Sequence, residues 1–319
     1  MAATIERELR CCDSFHSAFQ RAILHGHWRI LAQAAGPALP LSFVLSDRSG
    51  FQPLGPAATG VVLYNNAHAA LGLLMSVASV LRAVGNKAYE HAFPIYRPLY
   101  TAYKAYSDRA ERQLLRRILL PGAVVVDAGA NIGIYSQFLS RCVGPTGVVH
   151  SFEPAPDNFK RLQSATCKLA NVRLSQAAVG ECSGRSKLYL SDKLNVDHRA
   201  YRADGDSRRP FPIEMVTLDD YFKSGERVDL IKMDIQGYEL HALRGADRIL
   251  IDNPDIQLLL EFWPYGLRQA GANWVDLIAA LEQKGMVIRQ VSSDGLIPFH
   301  PGSTSESADW YVNLLASPT

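Results

Sequence analysis

The side chains with chemistry to offer are carboxylates that close apolar runs. Asp127 follows Val124-Val125-Val126, Glu153 follows Val148 to Phe152, Asp234 follows Val228 to Met233, and Glu261 follows Leu258-Leu259-Leu260. A carboxylate beside buried strand residues is costly unless it is paired or put to use, so these four positions are the first candidates for a site. Gly129 and Gly133 follow the first acid within Asp127-Ala128-Gly129-Ala130-Asn131-Ile132-Gly133. Such glycines let the backbone turn tightly at a strand end and expose helix amides to a ligand, although an ordinary strand-to-helix connection uses them too.

The acid at the head of that turn selects among cofactors. In the dinucleotide fingerprint the strand ends in glycine, so that a pyrophosphate can lie against bare amides. Asp127 would repel a diphosphate, but it suits the ammonium and sulfonium of S-adenosylmethionine, which carries no phosphate. Glu153 stands where a carboxylate can reach both hydroxyls of a ribose. In Gln176-Ala177-Ala178-Val179, read as the end of a third strand, Ala177 and Ala178 leave room for a flat adenine or for plain helix-sheet packing. On the acceptor side Asp234, then Glu261, then Glu239 are the candidates to take a proton from a hydroxyl. Glu239 also suits the first turn of a helix, where its charge favours the dipole. Carboxylates at two neighbouring strand ends could instead hold Mg²⁺, but no third ligand is evident and no metal is assigned.

Strands and helices must bring these residues together. The β-branched run Val124 to Val126 reads as a strand buried on both faces of a parallel sheet. A helix follows, with Ile134, Tyr135, Phe138, Leu139 and Cys142 on its apolar face. The alternation continues through strand Val148 to Glu153, a helix bearing Phe159 and Leu162, and a strand from Val172. It resumes with strand Val228 to Asp234, one helix carrying Leu240, Leu243, Ala246 and Leu250, and strand Ile256 to Phe262. Helix Asn273 to Glu282 and strands Val287 to Val291 and Trp310 to Ala316 complete it. Short strands Lys187 to Leu190 and Ile213 to Thr217 flank an Arg-rich loop, Ser191 to Pro210, placed to fold over the site as a lid or to stand as a solvated tip. Upstream, Ile95 to Leu120 is helical, with Asp108 and Glu111 spaced as a capping box. The expected fold is α/β and Rossmann-like, a mostly parallel sheet with helices on both faces.

With the motifs in place, the chain resembles the FkbM-type methyltransferases. The likeness rests on Val126 to Gly133, Phe152-Glu153-Pro154, Thr217-Leu218-Asp219-Asp220, Lys232 to Glu239, and Asp309 to Leu314, in matching order and spacing from about Ile95 to Ala316. It implies a class I methyltransferase fold and methyl transfer from S-adenosylmethionine, usually to a hydroxyl oxygen. Carried over by position, it makes Asp127, Gly129, Asn131 and Gly133 the methionine-side loop and Glu153 the ribose ligand. Asp234 and Glu239 then lie on the acceptor side. The chain departs from the family pattern at Ala128, where many members have a β-branched residue, and at Gln236, where many have Glu.

Composition narrows the rest. The 319 residues exceed one ordinary core, and residues 1–94 are read as a mainly helical accessory segment before a methyltransferase domain over 95–319. Lys+Arg 33 against Asp+Glu 31 gives a net charge of +2, too little to argue for nucleic acid as a partner. The five cysteines form no C-x-x-C pair, and the charged start lacks a leader's pattern, so a cytoplasmic setting is expected. Gly50 to Leu81 has no Asp, Glu, Lys or Arg. It is read as a buried or interface-lying helix, with a membrane span the lesser alternative because Tyr64-Asn65-Asn66 interrupts it. The acceptor is expected to be a small molecule or glycoconjugate, most plausibly a saccharide hydroxyl, because the loop's Arg199, Tyr201 and Arg202 suit a ligand rich in hydroxyls. A polyketide-type hydroxyl, a nicotinamide-dependent oxidoreductase and a non-catalytic binding module are the competing readings. Oligomeric state is left open.

Overall fold

In a computed structural model of the chain, Tyr89 and residues 91–190, 198–202 and 208–318 are described. The β-branched run becomes β1 (Val124–Ala128), which sits inside an eight-stranded sheet. Its neighbours are β2 (Val148–Phe152) and β7 (Leu230–Met233), both parallel to it. Outward on one side lies β3 (Val172–Ser175), parallel to β2. On the other side, β8 (Gln257–Phe262) runs parallel to β7. Next comes β11 (Val312–Pro318), antiparallel to both β8 and β9 (Met286–Ser292). With β10 (Gly295–Pro298) at the outer edge, the order is β10-β9-β11-β8-β7-β1-β2-β3. The chain builds outward from β1 in one direction and later returns to build from β7 in the other. Between two such strands the connecting loops part at the carboxyl ends and leave a crevice, the usual ligand site of open α/β sheets.

Period-two alternation divides the core between the two faces of the sheet. Val125 and Val149 face α3 (Ile134–Val143) and α2 (Arg109–Ile118), packing with Leu115, Phe138 and Leu139. Val126, Ile231 and Leu260 face the opposite layer with Leu243, Ile249 and Leu277. These come from α6 (Glu239–Arg244), α7 (Asp247–Asp252) and α9 (Trp274–Gln283). The two remaining helices of the first half are α1 (Phe93–Ser107) and α4 (Pro156–Thr166), and the second half adds the short α5 (Leu218–Tyr221) and α8 (Pro264–Gln269). Residues Ala92–Thr319 form one compact unit.

Several local expectations are corrected. Asp108 does not cap α2 with its side chain; its carboxylate pairs instead with Lys104 at 2.7 Å, while that of Glu111 accepts from Asn313 on β11. A nearby ammonium and a distant strand outcompete the local cap. Gln176 to Val179 does not extend β3. Ala177–Val179 is β4, which leaves the main sheet to pair with β6 (Arg209–Val216) in a separate sheet ordered β4-β6-β5, with β5 at Gly184–Leu190. The last two strands are longer than the sequence indicates. Pro210 and Pro212 are tolerated because β4 pairs only with Glu214–Val216, leaving that stretch of β6 open on one side. The single helix expected over 240–250 is two, broken at Gly245, where a Cβ would lie 2.0 Å from the Gly180 carbonyl oxygen. Asp219 then caps α7, accepting from Arg248 N and Ile249 N, both at 2.9 Å. Strand β10 (Gly295–Pro298), hairpinned onto β9, has no signature in the sequence.

The uncharged stretch Gly50 to Leu81, Cys11 and Cys12 lie outside the described residues. So do 191–197 and 203–207 of the Arg-rich loop, with Asn195, Asp197 and Asp204. Among the described residues, no helix is long and apolar enough to cross a membrane.

Candidate active site

The crevice is built from the loops after β1, β2, β7 and β8. After β1 the backbone turns through three left-handed residues, Gly129 (φ +82), Asn131 (φ +50) and Gly133 (φ +85). Gly129 is required by contact as well as conformation, because a Cβ there would lie 2.1 Å from the Asp234 carbonyl oxygen. Gly129 N and Ala130 N donate to Phe152 O at 3.1 and 2.9 Å, and Asp234 N donates to Ala128 O at 3.1 Å. The three strand ends are thereby tied together.

Glu153 continues the stitching from the end of β2. Its Oε2 accepts from Asn131 N at 2.8 Å and its Oε1 from Ala155 N at 2.9 Å. Burial pushes its carboxyl up to about 7 despite those amide donors. Asn131 Oδ1 is buried with no hydrogen-bond partner among the described residues. Ala177 and Ala178 are buried, and Ala178 packs with Ala155 and Met215, close to Glu153 in the chain.

A line of charge crosses from β1 to the mouth of the site. Asp127 is 0% exposed; its Oδ2 accepts from Ser136 Oγ at 2.8 Å, and its Oδ1 lies 3.7 Å from Lys232 Nζ. Burial raises its carboxyl, with Lys232 and Ser136 opposing. The same ammonium lies 3.6 Å from Asp234 Oδ2 and 4.5 Å from the centre of the Tyr135 ring. Burial acts to raise the Asp234 carboxyl, but Lys232, Lys104 and the Gln236 amide outweigh it and hold it below the ordinary carboxylate range. Asp234 keeps 34% of its side chain exposed. It is the solvent-facing end of a chain whose other end is Asp127.

Lys232 has no role assigned from the sequence, where it appears only inside a motif. The signal was available, since a lysine inside Leu230-Ile231-Lys232-Met233 must be paired to be buried. Lys232→Met should leave Asp127 and Asp234 without their cation and raise the Asp234 carboxyl by about one pH unit or more. The acid limb of the rate profile, where activity falls as its base takes a proton, should then move to higher pH. A profile identical to wild type would separate Lys232 from the base.

Glu261 on β8 is linked to Asp234 by one side chain. Gln236 Nε2 donates to Glu261 Oε2 at 3.0 Å and to Asp234 Oδ1 at 3.3 Å. Burial, then the charges of Asp234 and Glu239, push the Glu261 carboxyl well above its usual range. The two neighbouring acids are thus shifted in opposite directions, Asp234 down and Glu261 up, which is the pattern that separates a base from an acid. Glu239 has another use. It is 0% exposed, and its Oε1 accepts from Ile235 N and Gly237 N, each at 3.2 Å, so it staples the turn after β7.

Two further segments reach this crevice. On α1, Tyr96, Tyr100 and Tyr103 stack in sequence, and Lys104 Nζ stands 6.0 Å from the centre of the Tyr135 ring that Lys232 also covers. From the Arg-rich loop, the Tyr201 hydroxyl donates to Gln236 O at 2.8 Å. Arg199 lies over the Trp263 ring at 5.2 Å. The described part of the loop therefore packs on the turn that carries Gln236.

A model of the FkbM methyltransferase domain matches residues 127–286, half of the chain. Methyltransferase sdnD of Sordaria araneosa is 29% identical over 201 residues, covering 51% of this chain and 73% of that protein. The 2-O-methyltransferase NoeI of Sinorhizobium fredii is 27% identical over 197 residues, covering 56% and 74%. Among solved structures, a SAM-dependent methyltransferase from Aquifex aeolicus aligns over 66% of this chain and 89% of its own, at 17% identity and a TM-score of 0.37.

Proposed function

The chain belongs to the FkbM methyltransferase family and is an S-adenosylmethionine-dependent methyltransferase, and from that premise we propose that it O-methylates a saccharide hydroxyl of a glycoconjugate, with Asp234 as the base. The observation that carries the reading is the solvent-facing Asp234 carboxylate, 3.6 Å from Lys232 Nζ and bridged to Glu261 by the Gln236 amide.

The residues present fit the cofactor. The left-handed turn Gly129 to Gly133 leaves the Asn131 amide oxygen buried with no protein partner among the described residues, ready to accept from an ammonium. Glu153 supplies a carboxylate with acceptor capacity beyond its two amide bonds. In this reading Asp127, Gly129, Asn131, Gly133 and Glu153 hold the cofactor, and Ala177 and Ala178 border its flat base. Because Asp127 is fully buried, it acts through Ser136 and Lys232. When bound, S-adenosylmethionine supplies an electrophilic methyl group on a positively charged sulfur.

An alcohol is a weak nucleophile while it holds its proton, so the protein's tasks are alignment and proton removal. Asp234 accepts the hydroxyl proton as the oxygen forms its new bond. Lys232, 3.6 Å away, favours the ionised form of that carboxylate before the transfer. Glu261, whose carboxyl is pushed up by burial and by Asp234, would in its protonated form donate to a second oxygen of the acceptor.

A saccharide is favoured by one relative, which bears the name 2-O-methyltransferase. The test offers purified full-length chain and labelled cofactor to glycan extracts, phenolic acceptors and polyketide acceptors. Label in the glycan pool supports the proposal, and label confined to the non-sugar pools overturns it.

A further inference from the structure

Gln236 is unusual in backbone and in side chain. Its φ of +57 places it, with Asn131, among the only two non-glycine residues of the described chain in the left-handed region. A residue with a Cβ is held there only when its surroundings determine the backbone. Three contacts do so. The Glu239 carboxylate grips the amides of Ile235 and Gly237 on either side. Gly237 is pressed against α8 so closely that a Cβ would lie 2.3 Å from the Gly266 carbonyl carbon. The Gln236 carbonyl accepts the Tyr201 hydroxyl at 2.8 Å. With the backbone fixed, the side chain reaches between the carboxylates of Asp234 and Glu261, at 3.3 and 3.0 Å from its Nε2.

We propose that Gln236 is a positioning residue of the acceptor site: its amide orients the Asp234 carboxylate against Glu261, and its carbonyl ties that pair to Tyr201 on the β5–β6 hairpin. The proposal rests on the reading of Asp234 as base, but it needs no particular acceptor. An amide nitrogen has two hydrogens and no negative charge, so it can serve two carboxyl groups at once. A third carboxylate in its place would remove a donor and add repulsion. The base is thereby aimed through one neutral group, and Tyr201 fixes the turn that carries it.

The charged and titratable groups facing the pair come from every element around it. They are Lys232 on β7, Asp127 on β1, Glu239 on α6, Lys104 and Tyr100 on α1, and Tyr311 ahead of β11. None of these changes in a substitution at Gln236, so a shift in the titration of Asp234 reports the amide itself.

The experiment follows carboxyl carbons by ¹³C NMR across pH in the full-length chain with S-adenosylhomocysteine bound. The Asp234 and Glu261 signals are assigned by their loss in Asp234→Asn and Glu261→Gln. Gln236→Asn tolerates the left-handed backbone but leaves the amide too short to bridge. It should raise the Asp234 titration by roughly half a pH unit, and Gln236→Glu by about one unit or more. S-adenosylhomocysteine affinity should stay within about threefold of wild type in Gln236→Asn, because the amide serves the acceptor side. An Asp234 titration in Gln236→Asn that superimposes on wild type overturns the proposal, whatever Gln236→Glu does. Failure to methylate saccharides leaves this titration untouched and counts against the acceptor assignment alone.

Discussion

Asp234→Asn is expected to lower kcat by about 10²-fold or more while S-adenosylmethionine affinity stays near that of wild type. The carboxamide has nearly the same shape but cannot take a proton from the acceptor. Lys232 loses one carboxylate and keeps the other, because Asp127 Oδ1 lies 3.7 Å from its Nζ on the buried side. The fold should therefore survive, and calorimetry with cofactor serves as the control. Glu261→Gln is the informative companion. Burial and the neighbouring negative charges push the Glu261 carboxyl up, so exchanging it for a neutral amide should cost much less turnover than the change at Asp234. Equal losses from the two variants, or turnover within a few-fold of wild type for Asp234→Asn, would move the base away from Asp234.

Gly129→Ala is expected to destabilise the protein by about 3 kcal/mol or more and to remove cofactor binding with it. Two penalties add at this position. A Cβ at φ +82 is strained in itself, and it would stand 2.1 Å from the Asp234 carbonyl oxygen, a contact that can be relieved only by parting the β1 and β7 loops. That parting would also break the bond from Asp234 N to Ala128 O. Gly295→Ala isolates the first penalty, since Gly295 has φ +113 and nothing within 4 Å of an added Cβ. Chemical unfolding of both variants measures the difference. If Gly129→Ala cost no more than Gly295→Ala, the close approach of the two loops would be refuted.

The sequence was most legible where one residue's surroundings follow from its immediate neighbours. Val124-Val125-Val126 could only be buried on two faces, and Gly129 and Gly133 could only be a turn. Acids closing apolar runs mark the carboxyl ends of strands β1, β2, β7 and β8. It was less legible where a local pattern competed with a distant partner. Asp108 and Glu111 have the spacing of a cap, yet they spend their carboxylates on Lys104 and Asn313. Leu240 to Leu250 has the period of one helix, yet Gly245 breaks it because the Gly180 carbonyl approaches from another segment. Ala177 and Ala178 look like the end of a strand and belong to a second sheet.

By itself, then, the sequence determined the family, the cofactor class, the succession of strands and helices, and the short set of acids among which a base must lie. All of these follow from residue types at near spacing. The three-dimensional arrangement alone decided how those acids divide the work. Asp127 is sealed against Ser136 and Lys232, Glu239 is spent on two backbone amides, the Glu261 carboxyl is pushed up by burial and its acidic neighbours, and that of Asp234 is held down by Lys232 and left facing solvent. The physical reason is that a carboxylate's state depends on its burial and on the charges and donors within a few ångströms. Here those neighbours come from β1, β7, β8 and α1, strands and a helix that lie far apart in the chain and meet only when the sheet has formed.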